Sequence, residues 1–377
     1  MSKKILKNNN QLLDSMMSDL NKQNRLYKPG NYWSFYEKNI VKQIKKNQLD
    51  QFRNWSGSAG IGSIHSFNGG DLNISGMFGE YFHPFDEKFL KFDNNFFVKI
   101  YNRIINKLSK FFPFFSFFSF RAALGRRYFF DKIKHIENFA YDKIYNLDKE
   151  LLLSLSDSKV GNPSGFYRND KFYTISFLNE LTKINFLRKN INFNEINSVV
   201  ELGAGTGLLA SALLQFKKSL KYIVVEIPPA LYIVQNFLEA LGYKTLGYND
   251  VINLKSLNDI NIDDYQVICL PSWKIGLLQG HKFDLFVNAE SFQEMEPELT
   301  ENYLNKISPQ INKYIYLNNS KIGHAVGKKG EFGVLKQTGR EHYLTFLKDN
   351  FKIKKERDLE SLHGSSKDHL EIIFEKN

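Results

Sequence analysis

The chain contains only one cysteine, Cys269, so an internal disulfide is excluded and a reducing compartment is favoured. It lacks a run of the ~18 apolar residues that a membrane-spanning helix needs. Residues 1–8 lack the apolar segment of a secretory signal, and no internal repeat is visible. These absences predict a cytoplasmic protein with one or more ordinary packed cores.

Basic residues are abundant in one part of the chain. Residues 1–150 hold 24 Lys and Arg against 14 Asp and Glu, whereas the remainder holds 27 against 26. A length of 377 residues favours two domains. We predict a mainly helical, basic domain over residues 1–155 and a second domain over residues 156–377, with the break near Gly161-Asn162-Pro163. The basic domain suggests an anionic partner, with a plain solvated surface as the alternative.

The stretch from Ser198 to Gly207, SVVELGAGTG, reads as a buried strand followed by a glycine turn. The next residues, LLASALL, have helical character. In an open α/β sheet such a turn lies at the carboxyl edge of the first strand, where ligands bind. Glycine there permits positive φ and close approach of a ligand. The stretch therefore predicts a site for a nucleotide-like cofactor.

The spacing of the glycines narrows the choice of cofactor. It does not fit the dinucleotide pattern G-x-G-x-x-G, and the lysine of a P-loop is missing. The pattern E-x-G-x-G-x-G instead resembles motif I of class I S-adenosylmethionine-dependent methyltransferases. The resemblance implies that S-adenosylmethionine, whose sulfur and amino group are cationic, is held by Glu201, Gly203, Ala204, Gly205 and Gly207.

Later strands extend the predicted cofactor site. The second strand, residues 222–227, carries Glu226 at its carboxyl end. We expect Glu226 to accept hydrogen bonds from both ribose hydroxyls, with Ile227 beside it. Residues 267–270 are chosen as the third strand over the weaker segment 245–248. The remaining expected cofactor contacts follow the third and fourth strands: Ser272 and Trp273 near the adenine, and Asn288 facing the methyl group.

The order of elements predicts the fold class. Strands at residues 283–288 and 314–318 follow the third strand, and a helix and two strands end the chain. This order matches class I methyltransferases. We therefore expect an α/β fold with a Rossmann-like, mostly parallel seven-stranded sheet, preceded by the helical domain.

Three further strings make the resemblance narrower. EIPPALY from Glu226, FDLFVN from Phe283 and SFQEM from Ser291 together look like the putative sugar O-methyltransferase family of bacterial surface-polysaccharide gene clusters. The resemblance covers about residues 155–320. It implies O-methylation of a sugar hydroxyl in a glycan or in a nucleotide- or lipid-linked precursor. An RNA or natural-product methyltransferase, or a non-catalytic cofactor-binding scaffold, is the alternative. The acidic run at residues 290–301 argues against nucleic acid.

Transfer to a hydroxyl benefits from a general base within hydrogen-bond reach. His324, on the loop after the fifth strand, is the first candidate, followed by Glu294 and Glu290 after the fourth strand. No metal is predicted, because Asp263-Asp264 precede the third strand and so lie at the opposite edge of the sheet.

Two segments match nothing in this family. The Gly/Ser-rich residues 55–71, which contain His65, predict a mobile loop that covers the site or binds the acceptor. The phenylalanine-rich residues 111–120 carry basic flanks. We expect them in the core, with peripheral contact of residues 111–127 at the inner face of a membrane as the alternative.

Overall fold

The structure, a computed structural model, describes residues 6–46, 49–54, 95–111, 134, 137–361 and 364–377. Its described strands form a two-stranded hairpin and an eight-stranded sheet with the order β5-β6-β4-β3-β7-β8-β10-β9. The strands are β1 Phe166–Arg168, β2 Lys171–Tyr173, β3 Ser198–Leu202, β4 Lys221–Glu226, β5 Thr245–Leu246, β6 Val267–Pro271, β7 Phe283–Ala289, β8 Ile311–Ser320, β9 Phe351–Ser361 and β10 Gly364–Lys376.

Helices precede, connect and cover these strands. In chain order the named α-helices are α1 Asn10–Asn21, α2 Asn31–Lys45, α3 Phe96–Phe111, α4 Lys149–Ser154, α5 Ile175–Asn190, α6 Leu208–Phe216, α7 Ala230–Ala240, α8 Tyr248–Val251, α9 Pro297–Ile307 and α10 Arg340–Leu347. Residues 137–147 are also helical. Within the described ranges, no helix combines the length and the apolar character required to cross a membrane.

The sheet is buried on both faces, as expected for parallel strands that alternate with helices. Side chains alternate along β3, so Val199 packs with helices α5, α6 and α7. Val200 packs on the other face with helices α9 and α10. By the same alternation Glu201 lies on the Val199 face. The result is a helix–sheet–helix arrangement of three layers.

The order of the strands locates a ligand crevice. β3 pairs in parallel with β4 on one side and with β7 on the other. The chain therefore reverses its direction across the sheet at β3, and the carboxyl ends of these strands border a topological switch point. The glycine bend after β3 and the polar segment after β7 meet there.

The fold class is confirmed as mixed α/β with a mostly parallel sheet, but the sheet has eight strands where seven were predicted. Thr245–Leu246, judged the weaker candidate, adds in parallel to the outer edge of β6. Val267–Pro271 pairs directly with β4, as predicted. The final hairpin is also as predicted, since β10 lies antiparallel between β8 and β9.

The pattern of residues 172–189 predicts a helix that leads into β3, but this helix begins later in the structure. Residues 172–173 belong to the β1–β2 hairpin, and α5 begins only after Thr174, whose hydroxyl accepts the Phe177 N–H and so caps the helix. The phenylalanine-rich residues 112–120 and the Gly/Ser-rich residues 55–71 lie outside the described residues.

Helices α1 and α2 and residues 49–54 pack on the α6–α7 side of the sheet. Phe52 and residues of α1 and α2 share one buried cluster with α7. Arg53 is buried and forms a two-pronged ion pair with Asp157 at 3.0 and 2.6 Å. Gly161 approaches Phe52 so closely that a Cβ would lie 2.3 Å from its ring. The predicted break at Gly161 is thus a close contact between the two parts, and the division into domains stays a prediction.

Candidate cofactor and active site

The bend after β3 depends on three glycines in the left-handed region. Gly203, Gly205 and Gly207 have φ of 79°, 56° and 81°. A Cβ at Gly203 would lie 2.0 Å from the Ser291 hydroxyl, and one at Gly207 would lie 2.7 Å from Val234, whereas one at Gly205 would meet nothing within 4 Å. The bend therefore packs tightly against other residues at Gly203 and Gly207 and borders open space at Gly205. The neighbouring Ala204 carbonyl accepts the Gly207 N–H.

Glu226 lies beside that open space. It is the last residue of β4, it is 7% exposed, and its carboxylate accepts the Gly205 N–H at 3.0 Å and the Ile227 N–H at 2.8 Å. Burial raises the pKa of Glu226 to about 7, although the two N–H groups act in the opposite direction. Its lone pairs are only partly used, so the carboxylate can accept further hydrogen bonds from a ligand over Gly205.

Glu201 lies deeper in the protein. It is 2% exposed, and its carboxylate accepts the Tyr222 hydroxyl at 2.9 Å. Burial raises the pKa of Glu201 to about 8, while the Tyr222 hydroxyl lowers it. The structure places the Glu201 side chain beneath the bend, on the Val199 face of the sheet. Only the carboxyl end of β3, and not the Glu201 carboxylate, lies towards the open space.

The buried Glu201 predicts a pH-dependent stability. Its folded pKa of about 8 exceeds the unfolded value, so the folded state binds the proton more tightly and its stabilisation is lost as pH rises. Between pH 5 and pH 8 the free energy of unfolding of the wild type should fall by roughly 3 kcal/mol relative to Glu201→Gln. Urea unfolding across this range measures the difference. Parallel pH profiles for the two proteins would contradict the prediction.

A buried lysine connects this region to the end of β7. Lys183 of α5 is 4% exposed and lies 3.0 Å from Glu180 and 3.3 Å from Glu290. Burial alone would lower its pKa, but the two carboxylates outweigh burial and raise it. Glu290 has φ of 60°, and its N–H donates to the Asn318 carbonyl at 2.7 Å. Lys183 therefore holds the candidate base Glu290 in a fixed ion pair.

Asn288 links the two loops that meet at the switch point. Its side-chain amide donates to the Leu202 carbonyl at 2.9 Å and to the Ser291 hydroxyl at 3.0 Å. Its oxygen accepts the Phe292 N–H and the Asn319 amide. Because Asn288 is fully buried, the structure places it behind the bend, where it fixes the distance between the ends of β3 and β7.

The Glu294 carboxylate is held by the N-terminal part of the chain. The side chains of Trp33 and Tyr32 on α2 form hydrogen bonds with it. Burial raises its pKa well above the ordinary value, the Trp33 and Tyr32 hydrogen bonds lower it, and the charges of Glu290 and Glu226 raise it further. The carboxylates of Glu226, Glu290 and Glu294 thus influence one another electrostatically, and together they make the open space acidic.

His324 lies next to the same tyrosine. Its ring centroid is 4.5 Å from that of Tyr32 and 5.1 Å from that of Phe332. The backbone N–H of His324 donates to the Gln293 carbonyl at 3.0 Å, which places the His324 loop beside Glu294. Burial lowers the pKa of His324, and the Ala325 backbone partly offsets this. The imidazole is therefore neutral at pH 7 and able to accept a proton.

Ser272 and Trp273 follow β6 as predicted, on the side of the crevice away from β7. The Ser272 hydroxyl donates to the Tyr27 carbonyl at 3.2 Å, and Tyr303 also forms a hydrogen bond with Ser272. Trp273 packs edge-on against Tyr248 with ring centroids 6.4 Å apart. Burial raises the pKa of Tyr303, and the charge of Glu226 adds to the rise, so this aromatic region lies near the Glu226 end of the site.

Most of the other predicted residues fall into two groups. The glycine bend, Glu226, Glu290, Glu294 and His324 border one acidic region, whereas Glu201 and Asn288 support it from behind. Sequence reasoning missed Tyr32, Trp33, Lys183, Tyr222 and Tyr303; the aromatic string YWSFY after Pro29-Gly30 is the one signal that could have indicated the first two.

Asp263 and Asp264 lie in a turn before β6, at the amino edge of the sheet as expected. In the ranges that the structure describes, three or more His, Cys, Asp or Glu side chains do not gather in a group able to hold a metal. Independence from metal stays a prediction.

Comparison with known proteins gives structural likenesses only. No family model and no curated protein matches the chain. The mitomycin 7-O-methyltransferase MmcR matches at 12% identity and a TM-score of 0.36, covering 54% of each chain. The magnesium protoporphyrin IX methyltransferase ChlM from Synechocystis PCC 6803 with bound SAH matches at 12% identity and 0.37, covering 54% of this chain and 84% of ChlM.

Two further solved structures match the chain over a similar length. The N-terminal domain of EvdMO1 with SAH bound matches at 13% identity and a TM-score of 0.36, covering 63% of this chain and 94% of that domain. The pyocyanin biosynthetic protein PhzM matches at 13% identity and 0.35. The match spans about half the length of MmcR and of PhzM.

Proposed function

We propose that the chain is an S-adenosylmethionine-dependent O-methyltransferase whose acceptor is a sugar hydroxyl of a surface polysaccharide or of its activated precursor. The observation that carries the proposal is the Glu226 carboxylate, bound to the Gly205 N–H beside a bend with open space at Gly205. Vicinal ribose hydroxyls fit a carboxylate at that strand end. The strings EIPPALY and SFQEM support the sugar acceptor through family resemblance.

The donor groups around the open space suit this cofactor. Glu226 would hold the ribose, and the backbone of Gly203 and Gly205 would lie against the nucleoside. When bound, S-adenosylmethionine supplies a methyl group on a positively charged sulfur. The Glu226 carboxylate favours such a cation when it is ionised, because opposite charges attract strongly in a partly buried site.

The protein's own contribution to the reaction is alignment of the acceptor and removal of its hydroxyl proton. His324 is the proposed base, since it is neutral at pH 7. Among the residues that the structure describes, its Nδ1 is buried and has no hydrogen-bond partner. Glu294 is a positioning residue that anchors the Tyr32 side chain, and Tyr32 in turn contacts the His324 ring.

Cofactor binding and turnover must be measured separately. Calorimetry with S-adenosylmethionine should show binding by the wild-type protein, and methyl transfer from labelled cofactor to a panel of nucleotide sugars and polysaccharide repeat units should show turnover. His324→Gln should reduce kcat about 10²- to 10⁴-fold, as expected for a lost general base, with cofactor affinity nearly unchanged. His281→Gln, at a half-buried histidine just before β7, is the matched control.

Three results would count against the proposal. Absence of cofactor binding would overturn it altogether. Binding with turnover on RNA but on no sugar would refute the acceptor. Unchanged kcat in His324→Gln would refute the base while leaving the cofactor site intact.

A further inference from the structure

Helix α3 exposes a continuous apolar stripe. Phe97 is 78% exposed and Ile104 is 53% exposed, and Ile100 and Leu108 are also exposed. At 3.6 residues per turn these positions lie on one side of the helix, and Phe96, 70% exposed, lies at its edge. Large apolar side chains gathered on one surface mark an interaction site.

One flank of α3 is turned away from solvent. Ile105 is buried against the protein, and Tyr101 is partly buried. Asn95 caps the helix: its side chain accepts the Phe97 N–H at 3.0 Å and its carbonyl accepts the Lys99 N–H at 3.0 Å. The apolar stripe is therefore exposed on a capped helix whose neighbouring flank, at Ile105, is covered.

Cations form a row beside the apolar stripe. Lys99, Arg103 and Lys107 are spaced by four residues and are exposed, so they lie one above another on the flank of the helix. Within the part of the chain that the structure describes, none of the three forms an ion pair. The sequence from Asp93 to Asp131 contains seven Lys and Arg between these two acids and no other carboxylate.

We propose that α3 docks the protein on an anionic phospholipid surface. A helix with aromatic and aliphatic residues on one side and Lys and Arg beside them lies in the plane of the interface, with its apolar side among the acyl chains and its cations at the phosphates. A second copy of the chain fits this surface poorly, because two rows of Lys99, Arg103 and Lys107 would repel each other. The inference is independent of the proposed methyl transfer.

Vesicle sedimentation of the full chain without cofactor tests the proposal. Binding to vesicles of phosphatidylglycerol and phosphatidylcholine is expected, with little binding to phosphatidylcholine alone and weaker binding as salt screens the charges. Replacing the stripe, Ile100→Gln/Ile104→Gln/Leu108→Gln, should weaken binding roughly tenfold or more. Replacing the row, Lys99→Gln/Arg103→Gln/Lys107→Gln, should have a similar effect.

Control substitutions elsewhere on the surface test whether lipid binding depends on α3 itself or only on total charge and exposed apolar area. The exposed lysines 306, 348 and 355, changed together to Gln, remove the same charge elsewhere and should retain most binding. Ile353→Gln, also exposed, is the apolar control. Equal binding by the α3 variants and the wild type would overturn the proposal. So would sedimentation equilibrium showing that the stripe variant dissociates a dimer while its lipid binding is unchanged.

Discussion

Replacing Glu226 with alanine is expected to weaken S-adenosylmethionine binding about 100-fold or more. A hydrogen bond to a charged group contributes about 1.5–3 kcal/mol, and about 1.4 kcal/mol corresponds to a factor of ten in affinity. Two ribose hydroxyls would lose their acceptor. The Gly205 N–H, 3.0 Å from the carboxylate, would lose its partner as well. Calorimetric titration measures the change directly.

The titration of Glu226 gives the same experiment a second readout. Its pKa of about 7 in the free protein means that binding a cation to the ionised form expels a proton near neutral pH. Affinity should therefore fall about tenfold per pH unit below pH 7. Titrations in buffers of different ionisation enthalpy should reveal the released proton. Glu226→Gln keeps the shape but removes the charge, so it should abolish both effects.

Asp284 offers a control of the same chemistry at the opposite edge of the sheet. Its carboxylate accepts the Asn197 N–H at 2.7 Å and the Ser198 N–H at 3.3 Å, much as Glu226 accepts two N–H groups. Asp284→Ala should lower stability without altering cofactor affinity. If Glu226→Ala and Asp284→Ala change affinity equally, or if neither changes it, Glu226 is not a cofactor ligand.

The parts of the fold that could be predicted are those encoded locally. The strand Ser198–Leu202, the glycine bend and the strand ending at Glu226 each follow from consecutive residues, because burial on both faces produces a continuous apolar run. Thr245–Leu246 escaped prediction because a strand of two residues carries almost no periodic signal. Its partner β6 supplies the pairing that its own sequence does not indicate.

The site was predicted less completely because its contacts join distant parts of the chain. Asn31 donates its N–H to Glu296, 265 residues away, and Tyr32 and Trp33 reach Glu294 in the same way. An acid such as Glu201 reads as a ligand from its motif alone. Only the alternation of side chains along β3, together with Tyr222 on the next strand, shows that its carboxylate is directed into the protein.

Gly203→Ala is expected to be the most damaging single substitution in the bend. An L-residue at φ of 79° costs about 1–2 kcal/mol. The added Cβ would lie 2.0 Å from Ser291 Oγ and 2.4 Å from Ser291 Cβ, and relieving such an overlap costs about 1–3 kcal/mol more. The free energy of unfolding should therefore fall by about 2–5 kcal/mol, measured in urea, and cofactor binding should be lost as the bend moves.

Three companion variants divide this effect into its causes. Gly242, at φ of 94° with nothing within 4 Å of its Cβ position, reports conformational strain alone, so Gly242→Ala should destabilise by about 1 kcal/mol and leave binding intact. Gly205→Ala should destabilise equally little but prevent binding, because its methyl group enters the open space.

Ser291→Gly removes both overlapping atoms. The double variant Gly203→Ala/Ser291→Gly should therefore recover the steric part of the lost stability and retain the strain. If the double variant is no more stable than Gly203→Ala, then the contact between the two loops is not what requires glycine at this position.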